Sequence, residues 1–242
     1  MEPLLFYGLF AFIFLLAGLK QGLTGFGLGI VAMALLPMIV PVPEAMAAVT
    51  LIGAISILGN LGPFWKAVVW REATPLIIGM IVGIPCGIFM LRSISPEAIT
   101  RILGAVLLLT CATQAFLPKN QNLHLPKFLG LPMGILGGAL GGAFNMGGPP
   151  VLIFLQSRPV TPKALVATLQ VIFAISLIFR SGLIATCGFV TLHILLLVAI
   201  GILPAWIGIM ISARFQKSIS QEALRRIVLI ALLLMGLKYL IL

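Results

Sequence analysis

The sequence has 242 residues, of which 61% are hydrophobic and only 8% are charged, and its mean hydropathy is +1.25. This composition excludes a soluble globular protein and predicts an all-α, polytopic integral membrane protein. The net charge is +10, but the basic residues are scattered along the chain, which argues against nucleic-acid binding. Cys86, Cys111 and Cys187 stand in separate apolar runs, so we expect buried thiols rather than a disulfide or metal framework.

Ten apolar segments follow one another along the chain, five in each half. They lie at about 4–20, 26–40, 45–62, 72–91, 98–117, 128–144, 147–157, 162–180, 187–212 and 222–242. We therefore predict a first transmembrane repeat over 1–118, a short linker over 119–125 and a second repeat over 126–242. The first segment has no Lys or Arg before it, which predicts a retained helix rather than a cleaved signal peptide.

Two sets of matching residues support the duplication. The stretch Ser93–Leu109 (SISPEAITRILGAVLLL) resembles Ser218–Leu234 (SISQEALRRIVLIALLL). Earlier in each half the matched pairs are Gly18 with Gly137, Gly22 with Gly141, Gly29 with Gly148 and Pro43 with Pro162. The match between Ser93–Leu109 and Ser218–Leu234 is specific, whereas the glycine match is weaker because glycine is abundant in this chain.

The distribution of basic residues predicts how the repeats are oriented. If each half crosses the membrane an odd number of times, eleven of the 15 basic residues fall on one side: Lys20, Lys66, Arg71, Lys119, Lys127, Arg158, Lys163, Arg214, Lys217, Arg225 and Arg226. Only Arg92, Arg101, Arg180 and Lys238 fall on the other, whereas an even count gives a split of roughly 8 to 6 with almost no bias. The positive-inside rule then favours inverted repeats with both termini outside the cytoplasm.

Segments 26–40 and 147–157 reach only ~22 Å and ~16 Å as helices, short of the ~30 Å hydrocarbon core. Each lies beside a glycine-rich break, GLKQGLTGFGLGI over Gly18–Ile30 and GGAFNMGGPPV over Gly141–Val151. Corresponding interruptions in two inverted halves indicate a transporter's substrate site, and a helix that begins within the membrane attracts an anion. The competing interpretation is close helix packing through small residues.

The predicted substrate-binding residues come from both breaks. They are Lys20, Gln21, Gly22, Thr24, Gly25, Phe26 and Gly27 in the first, and Asn145, Met146, Gly147, Gly148 and Pro149 in the second. Thr24, Gln21 and Asn145 are expected to donate side-chain hydrogen bonds, while a snorkelling role for Lys20 stays open. Arg180 is expected at the outer interface, and His193 is either a structural histidine or a proton-coupling residue.

The sequence resembles the TauE/SafE family of bacterial sulfite and sulfonate transporters. The motif Asn145-x-Gly147-Gly148-Pro149 and the first-half GLTGFG carry this resemblance, together with the length and the paired halves. It implies transport of sulfur-containing anions such as sulfite, thiosulfate, sulfoacetate or related sulfonates across the bacterial inner membrane.

We therefore predict a secondary transporter that moves a small anion by alternating access and needs no cofactor or metal. A channel-like protein is the alternative, and a membrane-embedded enzyme is the weaker one because HExxH, GxSxG and Asp-rich motifs are all absent. The five acidic residues, all glutamates, fall at segment ends, so no intramembrane carboxylate relay is predicted. The expected partners are the anion and the bilayer, with a homodimer left open.

Overall fold

The computed structural model describes residues 2–58, 65–116, 125–214 and 221–241, and these residues form ten α-helices. The helices are α1 (Pro3–Thr24), α2 (Leu28–Leu35), α3 (Val42–Leu58), α4 (Trp70–Ser93), α5 (Pro96–Phe116), α6 (Gly130–Phe144), α7 (Gly148–Gln156), α8 (Pro162–Thr186), α9 (Leu192–Arg214) and α10 (Gln221–Ile241). The predicted all-α class is confirmed. Most of the predicted linker, and Ser218 and Ser220 of the repeated motif, lie outside the described residues.

Six helical segments of the described chain are long and apolar enough to cross a membrane. Many of their large apolar side chains point outward, including Phe89 at 70% exposure and Met210 at 69%. Apolar surface on this scale suits contact with lipid rather than water. Cys86, expected to be buried, is exposed, because an apolar run in a membrane helix can face lipid as well as protein.

Two helices are too short to span, and they match the two short segments predicted. Helix α2 has eight residues and α7 has nine, which correspond to about 12–14 Å at 1.5 Å per residue. Each follows a longer helix that ends in a left-handed residue, Gly25 (φ 76°) after α1 and Asn145 (φ 54°) after α6. Glycine and asparagine are the residues that tolerate this conformation best, so the local sequence ends both helices.

Glycines bring two pairs of helices into backbone contact. Helix α1 packs on α9 and α6 packs on α4, and a Cβ at the contacting glycines would overlap a carbonyl oxygen of the partner helix. The contacts are Gly18 with Ala205, Gly22 with Ile209, Gly138 with Met80 and Gly142 with Ile84. Within each pair the residue numbers rise together, so the two helices are parallel.

The same contacts correct the glycine alignment between the halves. Gly18 on α1 occupies the position of Gly138 on α6, not of Gly137 as the sequence predicted, and Gly22 corresponds to Gly142 rather than Gly141. The error arose because α6 carries glycines on two faces. Gly137 lies against Gly147 of its own half, whereas its neighbour Gly138 lies against α4.

The third long-range pair is antiparallel. A Cβ at Gly104 of α5 would meet backbone atoms of Gly236 and Leu240 in α10, while Arg225 at the start of α10 donates to Gln114 O near the end of α5 at 2.6 Å. Consecutive spanning helices reverse direction, so α4 opposes α5, and α9 opposes α10. Combined with the parallel pairs, this makes α6 run opposite to α1, the arrangement that inverted repeats predict.

Candidate functional site

The two helix interruptions lie against each other at the centre of the protein. We call Gly25–Gly27 the first break and Asn145–Gly147 the second break. A Cβ at Gly29, in the first turn of α2, would overlap the carbonyl oxygen of Asn145. Glycine at position 29 is therefore what allows the backbones of the two breaks to approach.

Side chains from α1 and α8 hold the first break in shape. Gln21 Oε1 accepts a hydrogen bond from the Leu28 N–H at 3.2 Å, and Gln170 Nε2 donates to Gly25 O at 2.5 Å. Thr24 Oγ1 lies 2.9 Å from Lys20 O, one turn earlier. The Oε1 of Gln21 and the hydroxyl of Thr24, both from residues predicted as ligands, are thus engaged in shaping the backbone.

The second break is tied to α3 by the side chain of Asn145. Its Nδ2 donates to Met46 O at 3.0 Å and lies 3.2 Å from Thr50 Oγ1, which is itself 3.3 Å from Asn145 Oδ1. Thr50 is fully buried and also donates to Met46 O at 2.8 Å. Asn145 therefore anchors the break, and its amide is not the free hydrogen-bond donor that the sequence predicted.

A central cavity of about 70 Å³ lies where the breaks meet, and residues of both breaks line it. Helices α3 and α8 complete its wall. The lining residues are Gln21, Gly25, Phe26, Gly27, Leu28, Gly29, Ile30, Val49, Gly53, Ile57, Met80, Gly141, Asn145, Gly147, Gly148, Phe173, Ser176, Leu177 and Arg180. Among the described residues, this lining contains a single ionisable group, and that group is the Arg180 guanidinium.

Arg180 lines the central cavity, although it was not among the predicted binding residues. Its side chain is only 5% exposed, and Nη1 donates to Gly141 O in the last turn of α6. Its Nε finds no hydrogen-bond partner among the described residues. The sequence predicted that Arg180 ends its helical segment, but α8 continues to Thr186, which leaves Arg180 well inside the helix. An arginine within a long apolar run was the available signal.

The electrostatics of the central cavity favour an anion. Two short helices begin at its wall, and the first N–H groups of a helix lack partners within that helix. In α7 the residues Pro149 and Pro150 have no N–H, so Gly148 and Gly147 are the nearest backbone donors there. A buried guanidinium with no carboxylate in the lining adds a full positive charge.

A second cavity of about 350 Å³ lies beyond Phe26 and Ile30, which line both cavities. Its polar lining includes Lys20, Thr24 and Arg225. The ring of Phe26 lies 6.4 Å, centroid to centroid, from the ring of Phe173 in the central cavity. Four of the predicted ligands line the second cavity: Lys20, Thr24, Phe26 and Pro149.

Three other predicted residues line neither cavity. Gly22 packs against Ile209 of α9, and Met146 is fully buried in the hydrophobic core. His193 lies at the start of α9 with a half-exposed side chain, and its Nε2 is 3.8 Å from Glu44 Oε2. The structure therefore gives Gly22 and Met146 packing roles and places His193 apart from the site.

The chain is similar in sequence to a known protein family and to a named bacterial protein. The profile of the family described as "Sulfite exporter TauE/SafE" matches residues 10–239. A protein of Cupriavidus necator named "Probable sulfite/organosulfonate exporter TauE" is 26% identical over 212 residues, which cover 86% of this chain and 83% of that protein. No solved structure matches the chain.

Proposed function

The chain belongs to the sulfite exporter TauE/SafE family, and from this premise we propose that it carries a small sulfur-containing oxyanion through the central cavity. Family membership and the apolar helices make it a multi-pass protein of the bacterial inner membrane and a transporter of sulfur anions rather than an enzyme. We further propose where the anion binds, how large it is and by which route it crosses the protein.

One observation carries the proposal: residues of both helix breaks and the buried Arg180 line the same cavity. Backbone N–H groups at helix starts bind oxyanions through directed hydrogen bonds. A guanidinium adds charge and paired donors that suit a planar or tetrahedral oxyanion. Packing alone explains why Arg180 meets Gly141, but it leaves the unpartnered Nε and the cavity unexplained.

The size of the central cavity favours an inorganic anion. A water molecule needs about 10–15 Å³ of such space, so 70 Å³ holds about five waters. Sulfite has four heavy atoms and thiosulfate five, whereas sulfoacetate has eight. We therefore propose sulfite or thiosulfate as the substrate, with longer sulfonates excluded from this conformation.

Alternating access would use Phe26 as the partition between the two cavities. The opposed directions of α1 and α6 support an inverted pair of repeats over 1–118 and 126–242, which can exchange conformations across the membrane. The positive-inside rule assigns the second cavity, with Lys20 and Arg225, to the cytoplasmic side. His193 lies outside both cavities, so we assign it no part in proton coupling.

Radiolabelled sulfite counterflow in proteoliposomes tests the proposal. A carrier preloaded with unlabelled sulfite accumulates the label transiently, whereas a channel only equilibrates it. Arg180→Gln should weaken sulfite binding about ten- to a hundred-fold, because hydrogen bonds to charged groups contribute roughly 1.5–3 kcal/mol. Arg101→Gln, which removes the same charge from an exposed position on α5, is the matched control. Unchanged affinity in Arg180→Gln would remove the central cavity from the account.

A further inference from the structure

The second cavity is lined by more charged side chains than a simple passage for the anion requires. It is five times larger than the central cavity, about 350 Å³ against 70 Å³. Its ionisable lining residues are Lys20, Arg225 and Glu222. The carboxylate of Glu222 pairs with Arg226, one turn later in α10: its Oε1 lies 3.6 Å from Arg226 Nη2. The cavity therefore faces two cations and a carboxylate that already has a cationic partner.

Lys20 is the unusual member of this group. It is only 6% exposed, yet its ammonium makes no hydrogen bond or ion pair with any described residue. The stem of the side chain packs on Gly27, where a Cβ would lie 3.2 Å from Lys20 Cγ. The first break thus holds the stem in place while the charge lines the second cavity. An ammonium with so little exposure and no protein partner is costly unless water or an anion in the cavity compensates its charge, and an anion compensates it more fully.

Arg225 lines the second cavity from α10, which packs on α5. Its Nη2 donates to Gln114 O at 2.6 Å and reaches Ala115 O at 3.5 Å, so the last carbonyls of α5 hold the guanidinium in position. A guanidinium has five N–H donors, and these contacts use one nitrogen. The remaining donors have no hydrogen-bond partner among the described residues, so an oxyanion can bind them.

We propose that Lys20 and Arg225 form a second oxyanion site, separate from the Arg180 site and divided from it by Phe26. The inference rests on the proposed function, because it gives the transported anion a first stop before the central cavity. An ammonium and a guanidinium together suit a doubly charged oxyanion such as sulfite or thiosulfate. The phosphate of an anionic lipid headgroup is a singly charged oxyanion that can accept the same hydrogen bonds, and the experiment separates the two sources.

Equilibrium binding of ³⁵S-thiosulfate to delipidated protein in low-salt buffer tests the inference. We expect two bound equivalents for the wild type and one for Lys20→Met, with the lost equivalent weakened at least ten-fold. Lys127→Met, which removes the same charge from an exposed residue, should keep two. Lys20→Met should fold, since replacing an unpaired buried charge with an apolar side chain is often neutral or stabilising. Lys20→Arg, which keeps the charge, should restore the second equivalent.

The outcomes separate the two sites and the two anion sources. Arg180→Gln should retain the equivalent that Lys20→Met loses. If Arg180→Gln binds like the wild type while Lys20→Met loses one equivalent, the second site stands and the central site falls. If the wild type instead retains phosphatidylglycerol, by mass spectrometry, that Lys20→Met releases, the site is confirmed with a lipid headgroup as its ligand. Equal thiosulfate binding and equal lipid retention in the wild type and Lys20→Met would overturn the inference.

Discussion

Replacing Gly148 with alanine separates a substrate site from a helix-packing motif. An ideal Cβ at this position would lie 3.7 Å from Phe173 Cζ and 3.8 Å from Phe26 Cδ2, which is ordinary van der Waals contact. The new methyl group therefore enters the central cavity without displacing backbone. Gly148 is the first residue of α7 and precedes Pro149, so the helix-interior advantage of alanine does not apply there, and the free energy of unfolding should change by less than about 1 kcal/mol.

The same methyl group should impair anion binding. It occupies cavity space beside the Gly148 N–H, since Pro149 and Pro150 have no N–H, and a hydrogen bond to a charged group contributes about 1.5–3 kcal/mol. We expect sulfite affinity to fall about ten- to a hundred-fold. Affinity by scintillation proximity and melting temperature should be measured on the same preparation.

Gly138→Ala is the matched control, because it makes the same chemical change on the face of α6 that packs against α4. Its Cβ would lie 2.5 Å from Met80 O, so the helices must separate and stability should fall by about 1–3 kcal/mol. The protein that survives should keep its affinity. The reasoning is refuted if Gly148→Ala lowers the melting temperature while sulfite still binds normally.

Three further predictions address the anchor, the partition and the topology. Thr50→Val should lower the free energy of unfolding by about 1–3 kcal/mol, measured by thermal melting, because it leaves buried partners unsatisfied; Thr50→Ser should restore it. Phe26→Ala should join the two cavities, so sulfite counterflow should fall relative to downhill sulfite flux. An unchanged ratio of counterflow to downhill flux would mean that another residue separates the cavities. Cysteines placed at Glu97 and Glu222, in a background without native cysteines, should react with an impermeant reagent from opposite sides; same-side labelling would contradict the inverted repeats.

The course of the helices could be predicted from sequence because membrane segments obey simple rules. The apolar segments, separated by Gly, Pro and polar residues, predicted all ten helices among the described residues, including the short α2 and α7. The positions of both breaks followed from the same residues, since glycine and asparagine tolerate the left-handed conformations seen at Gly25 and Asn145.

The roles of individual polar residues could not be predicted, because they depend on which helix each side chain meets. Asn145 appeared free in the sequence, but α3 brings Thr50 to its amide across 95 positions of the chain. Arg180 was assigned to a helix end, although α8 continues for another turn and a half and the side chain is buried against Gly141 of α6. The register of Gly138 was missed by one residue because glycine repeats cannot show which helix face packs.

The central claim is that an oxyanion binds between the two half-helix starts and Arg180. Crystals soaked with selenite, the heavier analogue of sulfite, would locate the anion by its anomalous signal. We predict one selenium peak within hydrogen-bonding distance of the Arg180 guanidinium and the N–H groups of Gly29 and Gly148. A selenium peak confined to other positions, with only water in the central cavity, would contradict the account.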